Sequence, residues 1–170
     1  MEELISGLSS DDADTRLEAV FELGETEDPK AVPYLIGALD DSDFYVQVQA
    51  IQGLRDIPDS ASVGPLCKLV ENADPHPTIV SNVCVALGEI GSAEALPTLV
   101  KLLSDSKPFT RYDAALALGE IGDASAVPAL TKLFDDDAMP EREDEDGDFV
   151  DTLDSVGEQA KRAVAMIEGK

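Results

Sequence analysis

The sequence predicts an all-α fold, an α-solenoid of about four αα-hairpins stacked into a superhelix with a capping helix at each end. Nearly the same phrase stands twice, LGEIGSAEALPTLVKLL at 87–103 and LGEIGDASAVPALTKLF at 118–134. Within each phrase the apolar residues recur at helical spacing, and a Gly-containing break separates two such runs. Because 44% of the residues are apolar but only 5% are aromatic, small aliphatic side chains are available to pack helices closely. We expect a single domain over residues 1–170.

The first element is a short N-terminal helix. Leu4, Ile5 and Leu8 form an apolar face that predicts a helix covering the first repeat. The opening MEELISGLSS has no basic stretch before an apolar run, so we expect no signal peptide. No apolar run reaches the roughly 18 residues that a membrane span needs, so we expect no membrane association and a cytoplasmic location.

Four copies of one repeat follow, over about 11–41, 42–73, 76–104 and 107–134. Two further stretches, AVFELGETEDPKAVPYLIGALDD at 19–41 and AIQGLRDIPDSASVGPLCKLVEN at 50–72, align with the two quoted phrases. Regular spacing in two independent columns indicates a true repeat. The columns are Gly24, Arg55, Gly88 and Gly119, and Pro33, Pro65, Pro97 and Pro128.

Each copy predicts two helices. In the fourth copy Gly122 and Asp123 interrupt the helical pattern, and Pro128 lies near the start of the second helix, where its missing N–H costs least. A hairpin of this kind cannot bury both of its faces alone, so it must stack on a neighbour of the same design. The two apolar stripes are Ala114, Ala115, Leu118 and Ile121, then Val127, Leu130, Leu133 and Phe134.

An acidic insertion at 135–150 separates the fourth copy from the last helix. Its composition predicts a solvated, mobile linker. A calcium loop is not supported, because placing Gly147 sixth puts Arg142 first and Leu153 twelfth. A capping helix is predicted over 152–168, with an apolar side formed by Ala160, Ala163, Val164 and Ile167.

These repeats carry a resemblance to a known family. ALGEIGSAEALPTLVKLL and RYDAALALGEIGDASAVPALTKLF resemble HEAT repeats of the short phycobilisome-lyase type. The resemblance implies a right-handed α-solenoid whose first helices lie on the convex side and whose second helices line the concave side. It also suggests chromophore-lyase activity, but only by analogy, because a shared fold does not fix function.

The charge is strongly negative, with 36 Asp and Glu against 12 Lys and Arg and a formal net charge of −24. The acids occur in every segment, a pattern that resembles proteins of halophilic archaea, where molar salt shortens the Debye length to roughly 3 Å. A binder of basic partners, or an acidic tail on an ordinary domain, are alternatives. Nucleic acid binding is disfavoured, because phosphate contacts require Lys and Arg clusters.

Groups suited to catalysis are scarce. His76, the single histidine, stands between two prolines and is expected to be a solvated loop residue. Cys67 and Cys84 fall in apolar helical patterns and are expected to be reduced core thiols. The His-Glu pairs with which the related deoxyhypusine hydroxylase binds iron do not occur. We therefore expect no catalytic residues, no metal and no cofactor.

The partner-binding candidates are lysines and aromatics. Lys68, Lys101 and Lys132 align on the second helices, where Gly37 takes the same place in the first copy. They indicate a positive stripe for an acidic partner or, alternatively, cations that stabilise helix C-termini. Aromatic anchors or inter-repeat packing residues are predicted at the corners and just beyond the apolar stripes: Tyr34, Phe44, Tyr45, Phe109 and Tyr112.

The sequence therefore predicts a non-enzymatic scaffold or adaptor that binds another protein on its concave face. One alternative is an enzyme subunit, such as a bilin lyase or isomerase component. The other is an acidic sequestering protein that docks basic partners through residues 135–150. Partner identity and oligomeric state are left open.

Overall fold

The computed structural model describes residues 2–71, 75–143, 149–151 and 154–169. Contacts divide the chain into two compact units, Met1–Ile90 and Gly91–Lys170. Within the described ranges the helices are α1 (Glu2–Gly7), α2 (Ala13–Glu25), α3 (Val32–Ala38), α4 (Phe44–Asp56), α5 (Val63–Val70), α6 (Pro77–Ile90), α7 (Leu96–Leu102), α8 (Pro108–Ile121), α9 (Val127–Thr131) and α10 (Val156–Glu168).

Each hairpin pairs a long first helix with a short second helix, and one turn of 3₁₀-helix joins them. Aspartate side chains cap many of these elements: Asp12 accepts from the backbone N–H of Thr15, and Asp43 accepts from those of Tyr45 and Val46. An N-cap carboxylate satisfies an orphan N–H and opposes the positive end of the helix dipole. Part of the acidity therefore has a structural role at helix starts. The 3₁₀ turns are capped in the same way by Asp28, Asp59, Ser92 and Asp123.

The first residues of the second helices change one detail of the repeat alignment. Pro33, Pro97 and Pro128 each take the second position of their helix, whereas Gly64 takes that position in α5. Pro65 therefore lies one residue later than the predicted column. The lysine alignment is unaffected.

In the unit Met1–Ile90 the first helices α2, α4 and α6 pack in sequence, with α3 and α5 against them. Gly24 and Gly53 let α2 and α4 approach closely, because a Cβ atom on Gly24 would lie 3.1 Å from the Gly53 Cα. The core is aliphatic. Its largest fully buried side chains in this unit include Leu23, Leu35, Ile51, Leu54 and Leu66.

In the unit Gly91–Lys170 the centre is the packing of α8 on α10. A Cβ atom on Gly119 would lie 2.9 Å from the Ala163 Cα, so the two helices touch through small residues. Ser155 and Glu158 form a capping box at the start of α10. The predicted C-terminal capping helix is present and begins at Val156.

An ion pair that the sequence did not predict joins the start of α2 to the segment after α3, at the two ends of the first hairpin. Arg16 on α2 donates from Nε and Nη2 to both carboxylate oxygens of Asp41, at 2.8 and 2.9 Å, and from Nη1 to the Ser10 carbonyl at 2.9 Å. Both side chains are largely buried. The Arg16 bond lowers the pKa of Asp41 below its ordinary value.

The same arrangement recurs in the fourth hairpin. Arg111 on α8 donates to both oxygens of Asp136, at 2.8 and 3.2 Å, and to the Asp105 carbonyl at 2.9 Å. Each pair is separated by 25 residues along the chain. Arg111 lowers the pKa of Asp136 as Arg16 lowers that of Asp41. We refer to Arg16–Asp41 and Arg111–Asp136 as the two clamps.

The acidic insertion contains a β-ladder that the sequence did not predict. Strand β1 (Glu141–Glu143) pairs antiparallel with β2 (Phe149–Asp151), with Arg142 opposite Val150. The acid-rich composition concealed this ladder, because Asp and Glu are depleted in strands. Residues 144–148, the centre of the predicted docking segment, lie outside the described residues.

Candidate partner-binding surface

The three predicted lysines occupy equivalent places in the repeats. Lys68 and Lys101 lie in the last turns of α5 and α7, and Lys132 is the C-cap residue of α9. All three are exposed. The corresponding place in α3 is held by Gly37, as the sequence indicated. Because each lysine lies near the negative end of a helix dipole, its position also has a purely local stabilising effect.

A groove runs between α3 and α5, beside Lys68. Its volume is about 440 Å³, and its apolar lining includes Ile36, Leu39, Pro65 and Leu69. Asp40 and Lys68 also line it, so the apolar floor has one charge of each sign at its margin. No sequence signal located this groove, because its depth depends on the side-by-side placement of two short helices.

A second, smaller cavity of about 240 Å³ lies against the other part of α3. Tyr34, which is 38% exposed, lines it together with Leu8 of the segment after α1 and with Gly37. The Arg16–Asp41 clamp forms part of the same wall. Tyr34 is therefore at the edge of a cavity, where the sequence placed it just beyond the apolar stripe.

The predicted corner aromatics of α4 form a cluster with the histidine. The Phe44 ring lies 5.4 Å from the Tyr45 ring and 4.6 Å from the His76 ring, both edge-on. Tyr45 is 67% exposed, whereas Phe44 is half-buried. His76 is exposed, as predicted, and its Nδ1 accepts a hydrogen bond from the Thr78 backbone N–H at the start of α6. This histidine thus has a capping role that sequence reasoning did not assign.

Phe109 and Tyr112 lie in the first turns of α8 and are half-buried. Both make contacts within the protein. Of the cysteines, Cys84 is buried in α6 and Cys67 is half-buried in α5. The role of these residues in partner binding stays a prediction.

Neither a metal cluster nor a membrane span occurs in the part of the chain that the structure describes. Among these residues, no group of His, Cys, Asp and Glu side chains is placed to hold a metal ion. Over the same ranges, each helix is too short or too polar to cross a membrane.

Comparison with known proteins identifies the fold. The family described as HEAT repeats matches residues 1–78 and 65–145. A solved structure of the complex of CpcE and CpcF of phycocyanin lyase from Nostoc sp. PCC7120 matches with a TM-score of 0.76 and 21% identity, covering 99% of this chain and 65% of that chain. This chain thus spans slightly less than two thirds of that chain's length, and the likeness concerns the fold alone.

Two engineered proteins give further matches. One has a TM-score of 0.63 and 26% identity, over 98% of this chain and 78% of that chain. The other has a TM-score of 0.60 and 25% identity, over 98% of this chain and 47% of that chain. A search of curated proteins gave no match. The predicted all-α, solenoid-type fold class is confirmed.

Proposed function

Because the chain belongs to the HEAT-repeat family, we propose that it is a non-catalytic scaffold or adaptor that binds another protein through the second helices of its hairpins. Within each compact unit, the packed first helices hold the second helices in place before binding. A preorganised surface loses little conformational entropy when a partner docks, so more of the contact energy appears as affinity. We propose that this occurs in a high-salt cytoplasm, with a protein rather than nucleic acid or membrane as partner.

The observation that supports the proposal most strongly is the placement of the lysines. In a chain of net charge −24, three exposed cations stand at the same repeat position on α5, α7 and α9. The dipole of each helix stabilises its own lysine by some tenths of a kcal/mol, and this local effect accounts for part of the repetition. The same repetition offers the carboxylates of a partner one exposed amine at the same register of α5, α7 and α9, and this is the role that we propose for the column.

Charge reversal tests this assignment. The double variant Lys101→Glu and Lys132→Glu should abolish capture of the native partner from the source cell. The control is Lys30→Glu with Lys161→Glu, two exposed lysines outside the column, which should leave capture intact. If the Lys101 and Lys132 variant captures the partner as well as the wild type, the lysine contact is refuted.

A second candidate function is a subunit of a bilin-chromophore lyase or isomerase. The structural likeness to the CpcE and CpcF complex favours it. Incubation with bilin should then produce a visible absorbance band on this protein or on an acceptor protein to which it transfers the bilin. A spectrum unchanged from free bilin would count against this candidate.

The sequestering alternative assigns binding to residues 135–150. A deletion would disturb α10, because the Ala138 carbonyl accepts from the Val156 N–H and the Asp136 carbonyl accepts from the Gly157 N–H. Replacing the acids of 144–148 with Asn and Gln is the milder change. Loss of the partner in that variant, with capture retained in the Lys101 and Lys132 variant, would favour sequestering over the second-helix surface.

A further inference from the structure

Gly64 leaves one wall of the groove between α3 and α5 without a side chain. Gly64 takes the second position of α5, where the equivalent helices have proline. Apart from its chain neighbours and the backbone of its own helix, a Cβ atom on Gly64 would meet no atom within 4 Å. Glycine is less favourable than alanine in a helix, but before Pro65 it avoids the clash that a Cβ atom makes with the proline ring in helical backbone. A missing side chain at a groove wall also lets another backbone approach closely.

The shape of the groove limits what can occupy it. Its volume of about 440 Å³ exceeds that of one large aliphatic side chain, and its lining residues Ile36, Leu39 and Leu69 are apolar. The walls are helices, whose backbone groups bond mainly within each helix, so the groove favours an occupant that satisfies its own backbone hydrogen bonds. An α-helix meets that condition, and helix-in-groove binding is a common mode of peptide recognition.

The charges at the margin specify the occupant further. Lys68 favours a carboxylate next to the apolar anchor, while Asp40 disfavours a second one and favours a basic residue. A second copy of this chain is a poor occupant, because with 12 Lys and Arg against 36 Asp and Glu it offers few basic residues to meet Asp40.

We propose that the α3–α5 groove binds an amphipathic helix of a partner protein, which inserts a large aliphatic side chain beside Gly64 and pairs a carboxylate with Lys68. This inference rests on the proposed function and specifies its partner's chemistry. It assigns to Gly64 and Lys68 a shared role in recognition.

The experiment selects peptides rather than an unknown partner. Helical peptides about 15 residues long, enough for marginal helicity in isolation, are displayed on phage and selected on the wild-type chain at high salt. Selected peptides are then measured by calorimetry against wild type and Gly64→Leu. The leucine should fill the groove, so we expect affinity to fall at least about tenfold. Thermal unfolding checks that the variant is folded, because a side chain before Pro65 crowds the proline ring.

Two controls make the result specific. Gly37→Leu is the matched control, because a Cβ on Gly37 also meets nothing within 4 Å but faces the separate cavity beside Tyr34. It should leave affinity unchanged. Lys68→Glu should weaken a peptide with an acid next to its anchor, and exchanging that acid for lysine should restore binding.

The outcomes separate this inference from the proposed function. Loss of binding in Gly64→Leu, retention in Gly37→Leu and rescue at Lys68 support the groove. Peptides bound equally by wild type and Gly64→Leu, or a selection that yields no aliphatic anchor, overturn it. In that case loss of the native partner in the Lys101 and Lys132 variant would still uphold the scaffold.

Discussion

At the scale of single residues, the two clamps are polar contacts that hold the hairpins closed. Arg111 binds Asp136 through two hydrogen bonds and also binds a carbonyl of the preceding loop. Bidentate bonds between charged groups are shorter and stronger than neutral ones. The clamps therefore fix the loop that enters each first helix to the end of its own second helix.

Asp136→Asn should lower the free energy of unfolding by about 1–3 kcal/mol, because a largely buried guanidinium loses its charged partner. The measurement is urea denaturation at high salt and neutral pH. Asp135→Asn is the matched control, since Asp135 is exposed and should change stability little.

The effect of Asp136→Asn should depend on pH. The pKa of Asp136 is lowered in the folded state, so its contribution is fully present above the ordinary value of 3.8 and is lost as the pH falls through the lowered folded value. The difference between variant and wild type should therefore shrink in acid. A constant difference across that range would show that charge is not the source of the effect.

Residue-level detail was only partly visible in the sequence. The lysine column follows from the alignment of the repeats, which places one residue of each second helix at the same register. The clamps did not, because a pairing over 25 residues depends on how the chain returns after the second helix. Repetition of the same spacing at Arg16–Asp41 and Arg111–Asp136 was the signal that could have revealed them.

At the scale of elements, close backbone contacts decide where α10 sits. A Cβ atom on Gly157 would lie 2.7 Å from the Phe134 carbonyl oxygen and 2.9 Å from those of Leu133 and Asp136. The start of α10 therefore rests directly on the end of the fourth hairpin. Sequence spacing located this helix but not the contact.

Gly157→Ala should destabilise the protein by about 1–3 kcal/mol, because backbone carbonyls cannot move aside as a flexible side chain can. Thermal unfolding followed by circular dichroism measures it. Gly37→Ala is the control and should raise stability by up to about 1 kcal/mol, since its Cβ meets open space in a helix. Equal effects of the two substitutions would contradict the close packing of α10 on the fourth hairpin.

The elements themselves were largely predictable, and the exceptions have physical causes. Apolar periodicity and Gly or Pro breaks indicated the hairpin helices and both terminal helices. The column through Pro65 was misaligned by one residue, because Gly64 replaces the proline of the other copies. The β-ladder between 141–143 and 149–151 was missed because strand pairing in an acidic segment leaves no apolar alternation.

At the scale of the whole molecule, charge governs the conditions for folding. A net charge of −24 on 170 residues creates repulsion that molar salt screens. We expect helical circular dichroism to be lost as KCl falls from molar to millimolar concentration. Full helicity without salt would contradict adaptation to high salt, while leaving the repeat fold unaffected.

The central claim is that the second helices of a HEAT-repeat chain bind another protein through Lys68, Lys101 and Lys132. Crosslinking mass spectrometry in the source cell, with a carbodiimide that joins amines to adjacent carboxylates, tests it most directly, because the other lysines serve as internal controls. The account predicts that crosslinks to one partner concentrate on Lys68, Lys101 and Lys132. Crosslinks confined to Lys30 and Lys161, with the three column lysines reactive but unlinked, would contradict it.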